Sequence, residues 1–550
     1  MRKVCRIGTA CLVLGLFSLT PLRRETDGVL STRIFSSAIN GINAQLIEVE
    51  VDSNPGLHAF NIVGLPDKAV EESKDRIASA IKNSGLTPPN SKHRKIIINL
   101  APADLKKEGP SYDLPIAVGY LLETGQIKFD SSKTMFIGEL SLNGSLKCTS
   151  GVLATAILAQ NLGFKELIVP SSNKKEALVV SGLIIVGAKN ISEVVGHIDG
   201  TMPLLAENSA NIFAENDNEN IETDSLFAIK GQEIAKRALV VAAAGAHNVL
   251  MSGPPGSGKT LLAKALAELM PKMSLDEAIE VAKIYSSVGL LKDSSLSFKR
   301  PFRNPHHTTS APAMVGGGTW PKPGEISLAH RGVLFLDELP EFPRNVLESL
   351  RQPLEDGVIS VVRTSNSVVL PAKFTLVAAM NPCPCGNYGS EKNTCICSPF
   401  NVLRYRKRIS GPLLDRMDIY MNVPRETISD EEAAKNTAKT AVLTAKMAKI
   451  KESIKKARET QKERFKNLGL FSNSEINHKN ITQYCVLDKE AEHFLIRAAN
   501  NKNLSLRAYH KIKKVARTIA DLEGEKIIKQ NHIAEALRFR MDSDALRELG

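Results

Sequence analysis

Residues 253–260 read Gly253-Pro254-Pro255-Gly256-Ser257-Gly258-Lys259-Thr260, and no other stretch constrains the chain as tightly. The spacing is G-x-x-x-x-G-K-[ST], a loop that cradles nucleotide phosphates. Its surroundings match: 248–251 (NVLM) is a short apolar run suited to a buried strand, and 261–270 (LLAKALAELM) consists of strong helix formers and stops at Pro271. Strand, glycine-rich loop and helix are the context this motif requires. The glycines let backbone N–H groups converge on phosphate oxygens, and the helix start adds partial positive charge. Lys259 is expected to reach the β- and γ-phosphates, and Thr260 to hold Mg²⁺.

Three further stretches supply what a phosphate site needs to hydrolyse its ligand. Residues 332–338 (GVLFLDE) are an apolar run capped by two acids. They read as a buried strand with carboxylates at its carboxyl end, where an open α/β sheet presents its ligands. Asp337 is expected to complete Mg²⁺ coordination through water, and Glu338 to orient and polarise the attacking water. A third apolar strand, 374–380, ends at Asn381, whose amide falls beside the γ-phosphate. Residues 409–418 (ISGPLLDRMD) carry Arg416 between apolar neighbours, well beyond the core sheet strands. Phosphoryl transfer is mostly positioning and charge stabilisation, and an arginine from a neighbour raises the rate about 10³–10⁵-fold. An arginine serving an adjacent subunit implies a head-to-tail interface that closes into a ring.

The chain has 550 residues, enough for three or four units. Its net charge of +12 is compatible with a polyanion partner and equally with a soluble protein of basic surface. Eight cysteines are present, four of them within fifteen residues, which does not look like a disulfide framework. A reduced compartment, the cytoplasm, is the expectation. Arg2, Lys3 and Arg6 precede a short apolar run at 9–19, as in a signal peptide. The run is too short to span a bilayer and no clear cleavage site follows it. Residues 1–30 are therefore expected to be an extension in front of a true start near Val29 or Leu30.

Residues 31–202 read as alternating short strands and helices, a separate α/β domain. Strands are expected at 44–51, 95–100 and 166–169, and helices at 67–84, 114–122 and 151–162. Residues 203–223 are rich in Asn, Glu and Asp and read as a linker. A new domain opens at 227–246 and leads into the phosphate loop. Residues 271–330 carry many loop signals, among them Asn304-Pro305-His306-His307-Thr308-Thr309. Adjacent histidines do not easily share one metal ion, so loop contacts or a hydrogen-bonded turn are expected there. Residues 357–372 read as two β-rich arms around Thr364-Ser365-Asn366, a hairpin. Cys383, Cys385, Cys395 and Cys397 suit tetrahedral zinc, although C-x-C is not the commoner spacing, and free buried cysteines are the other reading. Residues 426–466 are a charged helical stretch, read as a solvated face or a nucleic-acid contact. Residues 504–522 form an amphipathic helix that carries Arg507.

From 224 onward these motifs resemble an AAA+ ATPase of the magnesium-chelatase-like branch, with GPPGSGKT as Walker A, LFLDE as Walker B and Asn381 as sensor 1. Arg416 matches its arginine finger and Arg507 its sensor 2. The segment NPHHTTSAPAMVGGG and the hairpin near 357–372 are similar to its helix-2 insert and pre-sensor-1 hairpin, which face a ring pore. The phrases FNIVGLPD (60–67), INLAPADLKKEGPSYDLPIA (98–117) and IGELSLNG (137–144) resemble the ComM/YifB proteins, a match running over about 31–550. The resemblance implies an α/β protein with a Lon-like N-terminal domain at 31–202, an AAA+ P-loop core at 224–424 and a helical C-terminal lid at 425–550. It also implies an ATP- and Mg²⁺-dependent hexameric motor that drives DNA branch migration in recombination and transformation, with single-stranded or branched DNA as partner. Within the Lon-like fold, Gly109-Pro110-Ser111 matches the nucleophile position, but the matching place for its lysine, Gly151-Val152-Leu153, has none. A serine without its base is a poor nucleophile, which weighs against proteolysis. An ATPase subunit of a metal-insertion complex shares 224–424 but generally lacks this first domain. Intact Glu338 and Arg416 weigh against a nucleotide-gated module that does not hydrolyse.

Overall fold

The computed structural model describes residues 32–205, 231–425 and 440–540, less 92, 292–295, 319–320, 363–366, 390–393, 467 and 503, together with Leu226 and Ile229. The expected extension at 1–30, most of the linker, the hairpin turn at 364–366 and residues 426–439 lie outside these residues.

Two sheets organise the chain. The first comprises β1 (Thr32–Asn40), β2 (Asn43–Pro55), β3 (Ala59–Val63), β4 (Arg94–Ala101), β5 (Thr134–Phe136), β6 (Glu166–Pro170) and β7 (Ile184–Ala188), in the order β3-β4-β2-β1-β5-β6-β7. In β4 the side chains of Ile96, Ile98 and Leu100 are buried while Ile97 and Asn99 between them are less so, the period-2 pattern of a half-covered strand. Helices α1 (Ser73–Asn83), α2 (Asp113–Glu123) and α3 (Val152–Asn161) flank this sheet. The predicted strands and helices of this region are all present. Strands β1, β3, β5 and β7 were not expected; β5 is only three residues long and gives no period to read.

The second sheet comprises β8 (Val249–Ser252), β9 (Phe302–Arg303), β10 (Val333–Leu336), β13 (Thr375–Met380) and β14 (Ile419–Asn422), in the order β9-β10-β13-β8-β14 and parallel throughout. Every residue of β10 and β13 is buried, as covered parallel strands must be. A separate antiparallel hairpin, β11 (Val358–Val362) and β12 (Ser367–Pro371), precedes β13. Helix α4 (Glu233–Gly245) leads into β8 and α5 (Lys259–Leu269) leaves the phosphate loop.

The region 271–330 is less loop-like than its composition suggests. Helix α6 (Leu275–Ser287) occupies its first part, started by a capping box in which Ser274 Oγ accepts from Glu277 N and Glu277 Oε2 accepts from Ser274 N. This Ser-x-x-Glu spacing is itself a sequence signal for a helix start. Ala278, Val281 and Ala282 of α6 enter one apolar cluster with Met135, Val152, Leu153 and Ala156 of the first sheet's layer.

Helices α7 (Thr440–Arg464), α8 (Lys489–Asn501), α9 (Leu506–Leu522) and α10 (Gln530–Arg538) form the C-terminal region. The solvated-face reading of the charged stretch holds on one side only. Met447, Ile454, Ala457 and Gln461 of α7 are buried, and Gln461 Nε2 donates to the carbonyl of Ala244 at 3.0 Å. The lysines screened an apolar stripe whose members are spaced at helical intervals.

Candidate active site

Register brings the predicted residues to one edge. In the pairing of β8 with β13, Ser252 stands level with Met380, so Gly253 and Asn381 leave the sheet side by side. Gly253 N donates to the Met380 carbonyl at 3.2 Å. A Cβ on Gly253 would lie 2.2 Å from the Val423 carbonyl oxygen, which fixes glycine there by close packing. Gly256 and Gly258 have φ of +73° and +88°, the left-handed region that glycine adopts without strain. Gly258 is the residue before α5, so the loop ends by directing the N–H groups of Lys259 and Thr260 toward its own concave side. Pro254 and Pro255 stiffen the first half of the loop, and the carbonyl of Ser257 accepts from Gln232 Nε2 at 3.0 Å.

The Lys259 ammonium is buried and donates to the carbonyls of Gly253 and Pro254 and to Asn381 Oδ1. Burial lowers its pKa, while Asp337 and Glu338 pull it back up. Thr260 Oγ1 donates to Asp337 Oδ2 at 3.3 Å. A hydroxyl and a carboxylate are hard oxygen ligands of the kind Mg²⁺ takes beside nucleotide phosphates, so this donor pair fits the ion.

Glu338 follows Asp337 with φ of +52°, a left-handed conformation uncommon for a residue with a Cβ. Its N–H donates to Asp337 Oδ1 at 2.9 Å, and its half-exposed carboxylate lies 3.3 Å from His307 Nδ1. His307 stacks against His306 at 4.1 Å between ring centroids, and His306 Nδ1 bonds Thr308 Oγ1 at 2.9 Å. The expected hydrogen-bonded turn is therefore present. That one of its histidines meets the acid was not foreseen, because thirty residues separate them in sequence.

Arg416 and Arg507 stand elsewhere. Arg416 lies just before β14, and its carbonyl accepts from Asn248 Nδ2 at 3.1 Å. Asn248 precedes β8, so Arg416 sits at the amino ends of the parallel strands, opposite the phosphate loop. The expectation that it lies well beyond the core strands is corrected: β14 is itself a core strand, too short and too close to its flanking turns to be read from sequence. Its guanidinium bonds Glu355 and the Pro412 carbonyl, at 2.5 and 2.7 Å. Arg507 Nη1 lies 4.0 Å from Asp415 Oδ2, beside Arg416. Both arginines line a cavity of about 780 Å³ with Lys455, Arg458 and Lys511.

The four clustered cysteines converge. Their sulfurs all lie within 4.8 Å of one another, with Cys383 at 3.3 Å from Cys385 and 3.7 Å from Cys395, and Cys385 at 3.6 Å from Cys395. Sulfurs about 2.3 Å from a tetrahedral zinc stand about 3.8 Å apart, so the set fits that ion. The backbone N–H of Asn387, then the Cys383 thiol, pull the Cys385 thiol down to about 6.

In the first sheet's domain, Ser111 lies in a short 3₁₀ turn, Pro110–Tyr112, and its carbonyl accepts from Gly138 N. The place where a Lon-type lysine would stand serves docking instead: Gly151 N donates to the Ser286 carbonyl of α6 at 3.0 Å.

Comparison with known proteins agrees with this geometry. Residues 225–431 match the family model described as magnesium chelatase, subunit ChlI; 49–173 match subunit ChlI of Mg-chelatase, and 444–540 its C-terminal region. The competence protein ComM of Haemophilus influenzae is 44% identical over 94% of this chain and 98% of its own length. The chain belongs to the ComM/YifB family. The YifB protein of Escherichia coli is 41% identical over 92% of this chain and 96% of its own. Similarity to the magnesium-chelatase 38 kDa subunit of Rhodobacter capsulatus, at 30% identity, covers only 28% of this chain and 49% of that one. Lon protease 2 of Bacillus subtilis is 26% identical over 28% of this chain. As a ComM/YifB protein the chain is α/β, with a Lon-like N-terminal fold, a magnesium-chelatase-like AAA+ core and a helical C-terminal region, and is an ATPase of the ComM type. Among the described residues no helix is long and apolar enough to cross a membrane.

Proposed function

We propose that this chain is the subunit of a hexameric, ATP-hydrolysing motor that acts on single-stranded or branched DNA and drives branch migration in the cytoplasm. The observation that carries the reading is the division of one catalytic set between opposite ends of one sheet. Lys259, Thr260, Asp337, Glu338 and Asn381 gather at the carboxyl ends, while Arg416 and Arg507 stand at the amino ends. A finger in that position reaches the phosphates of a neighbouring subunit, which requires a head-to-tail ring. In each site the loop N–H groups and Lys259 hold the phosphates, Thr260 and Asp337 hold Mg²⁺, Glu338 orients water, and Asn381 places it against the γ-phosphate. Bound Mg²⁺ supplies charge neutralisation at the phosphate oxygens. A zinc ion on Cys383, Cys385, Cys395 and Cys397 belongs to the same reading.

The units proposed are a Lon-like domain at 31–202, a linker at 203–223, an ATPase core at 224–424 and a helical lid at 425–550. The net charge of +12 and the similarity to a protein named for competence support DNA as the partner. The test is the ATPase rate with and without single-stranded or branched DNA, run beside a strand-migration assay. Stimulation by DNA with migration is expected. An ATPase indifferent to DNA, with no DNA binding at low salt, overturns the DNA part of the reading.

A further inference from the structure

The four-cysteine group does not stand apart from the nucleotide site. Asn381, Pro382 and Cys383 are consecutive, so the strand that presents the sensor amide runs directly into the first sulfur. Cys383 is buried, its carbonyl accepts from Gly386 N at 3.0 Å, and its sulfur accepts from Tyr388 N at 3.3 Å. That turn presses Gly386 onto the phosphate loop: a Cβ there would lie 2.5 Å from Pro255 Cδ, and φ of +81° already calls for glycine. From the other side, the Arg406 guanidinium donates to the Pro382 carbonyl at 3.2 and 3.1 Å and lies 5.1 Å over the Tyr388 ring. The segment between Asn381 and Arg406 therefore touches both the sensor residue and the loop that holds the phosphates.

Among the described residues no disulfide closes this segment. Its far arm, Cys395 and Cys397, meets the near arm, Cys383 and Cys385, at the four sulfurs, with the backbone N–H groups of Ile396 and Cys385 donating to the Cys385 and Cys397 sulfurs. Four thiolates around zinc make a closed structural site with no open position for substrate, so the ion's effect is mechanical. It would draw the far arm onto the near one and hold Asn381 and Pro255 in place from behind.

We propose that zinc on Cys383, Cys385, Cys395 and Cys397 is a clasp that fixes the sensor asparagine and the phosphate loop, so that the metal governs hydrolysis more than nucleotide binding. The hydrolytic part rests on the ATPase reading above; the clasp itself does not, and the test separates them.

The full-length chain is assayed for metal by inductively coupled plasma mass spectrometry, as purified and as the far-arm variant C395S/C397S. One zinc per wild-type chain, lost in the variant, is expected. Amide hydrogen exchange is then followed at 253–256 and 381–388. Loss of metal is expected to speed exchange in both segments, to lower kcat about 10- to 100-fold through misplacement of Asn381, and to leave KM for ATP within a few-fold. Because the variant can unfold, the same measurements are made on wild-type chain stripped with an organomercurial and then given excess dithiothreitol and zinc, which should restore the slow exchange. Absence of zinc, or iron in its place, overturns the proposal. So does metal loss that loosens only 383–397 and leaves 253–256 unchanged. A chain that holds zinc and responds in exchange, yet hydrolyses no ATP when intact, supports the clasp and overturns the ATPase reading.

Discussion

The Lys259 ammonium lies 3.2 Å from Asn381 Oδ1, a contact that joins the loop after β8 to the end of β13. Its other donors go to the carbonyls of Gly253 and Pro254 at 2.8 and 3.0 Å. A phosphate entering the loop competes for these donors with a full negative charge and wins by charge assistance. Lys259→Ala removes the competitor's target and should weaken ATP binding by about 10- to 100-fold, the worth of one charge-assisted hydrogen bond. Equilibrium binding of a fluorescent ATP analogue reads this. Unchanged affinity would mean that the ammonium serves the loop and not the ligand.

Glu338 is held differently. Its left-handed backbone turns the carboxylate out of the strand, and His307 stands 3.3 Å away. Glu338→Gln should keep ATP binding and subunit assembly while lowering kcat about 10²–10⁴-fold, the range for loss of a positioned base. His307→Ala leaves the carboxylate present but less directed, and a smaller fall, about tenfold, is expected with KM unchanged. Steady-state kinetics on the two variants separates the roles. An equal loss in both would make His307 a direct participant.

The phosphate loop, the acid-ended strand and the strand-end Asn381 are legible as local patterns with a chemical meaning, whereas the roles expected of Arg416 and Arg507 come from the family resemblance. The side of the sheet on which each falls is not legible. Arg416 was read as lying beyond the core, yet four-residue β14 places it at the edge of that core, and only register with β8 reveals this. The turn expected at the paired histidines is made by His306, while His307 faces Glu338. Its pairing with Glu338 depends on β9 lying beside β10, and β9 is two residues long, below any periodicity. Helix α6 is hidden for another reason: its Ser274 and Glu277 cap is a local signal, but the histidines and glycines downstream give the region as a whole a loop-like composition. The charge of α7 likewise masked the buried stripe of Met447, Ile454 and Ala457.

Arg416 makes its in-chain bonds to Glu355 and the Pro412 carbonyl, none of them at the phosphate loop. Arg416→Ala should therefore lose hydrolysis by about 10³–10⁵-fold while its own loop still binds ATP. Mixed with Lys259→Ala subunits, it should regain part of the activity, because some interfaces then pair an intact finger with an intact loop. ATPase assays across mixing ratios give the answer. No recovery at any ratio would place the finger's action within its own chain.

Glu280 of α6 accepts from His330 Nε2 and Arg331 Nε, at 3.1 and 2.8 Å. His330 Nδ1 accepts from Lys373 N, so Nε2 carries the proton that it gives to Glu280. The His330 hydrogen bond, with burial opposing and Arg331 assisting, brings the Glu280 carboxyl down to about 2. The folded value lies below the unfolded one of about 4.3, so this contribution is present above that pH and is lost as pH falls toward the folded value. Thermal melts of wild type and Glu280→Gln should differ at pH 7 and converge between about pH 4.3 and 2. A constant gap across that range would show that the difference is steric.

Glu176 ties the two sheets' layers together through one buried carboxylate. Its Oε1 accepts from Leu153 N at 2.9 Å and from Ser286 Oγ at 2.5 Å, and its Oε2 from Asn173 Nδ2 at 3.0 Å. Leu153 belongs to α3 and Ser286 to α6, so the carboxylate bridges the first domain's layer to a helix of the ATPase region. In Glu176→Gln one amide nitrogen must face a donor, either Asn173 Nδ2 or the Leu153 and Ser286 pair, and a buried donor is left unmatched. That costs about 1–3 kcal/mol. Ser286→Ala removes one donor and leaves the carboxylate with its other partners, for a loss of about 1 kcal/mol. The two share an oxygen, so the double variant should be less destabilised than the sum by about 0.5–3 kcal/mol. Denaturant unfolding of the four chains closes this cycle. Strict additivity would show that the Glu176 and Ser286 side chains are uncoupled, leaving α6 docked on α3 through Ala278, Val281 and Ala282 and the backbone bond from Gly151 N to the Ser286 carbonyl.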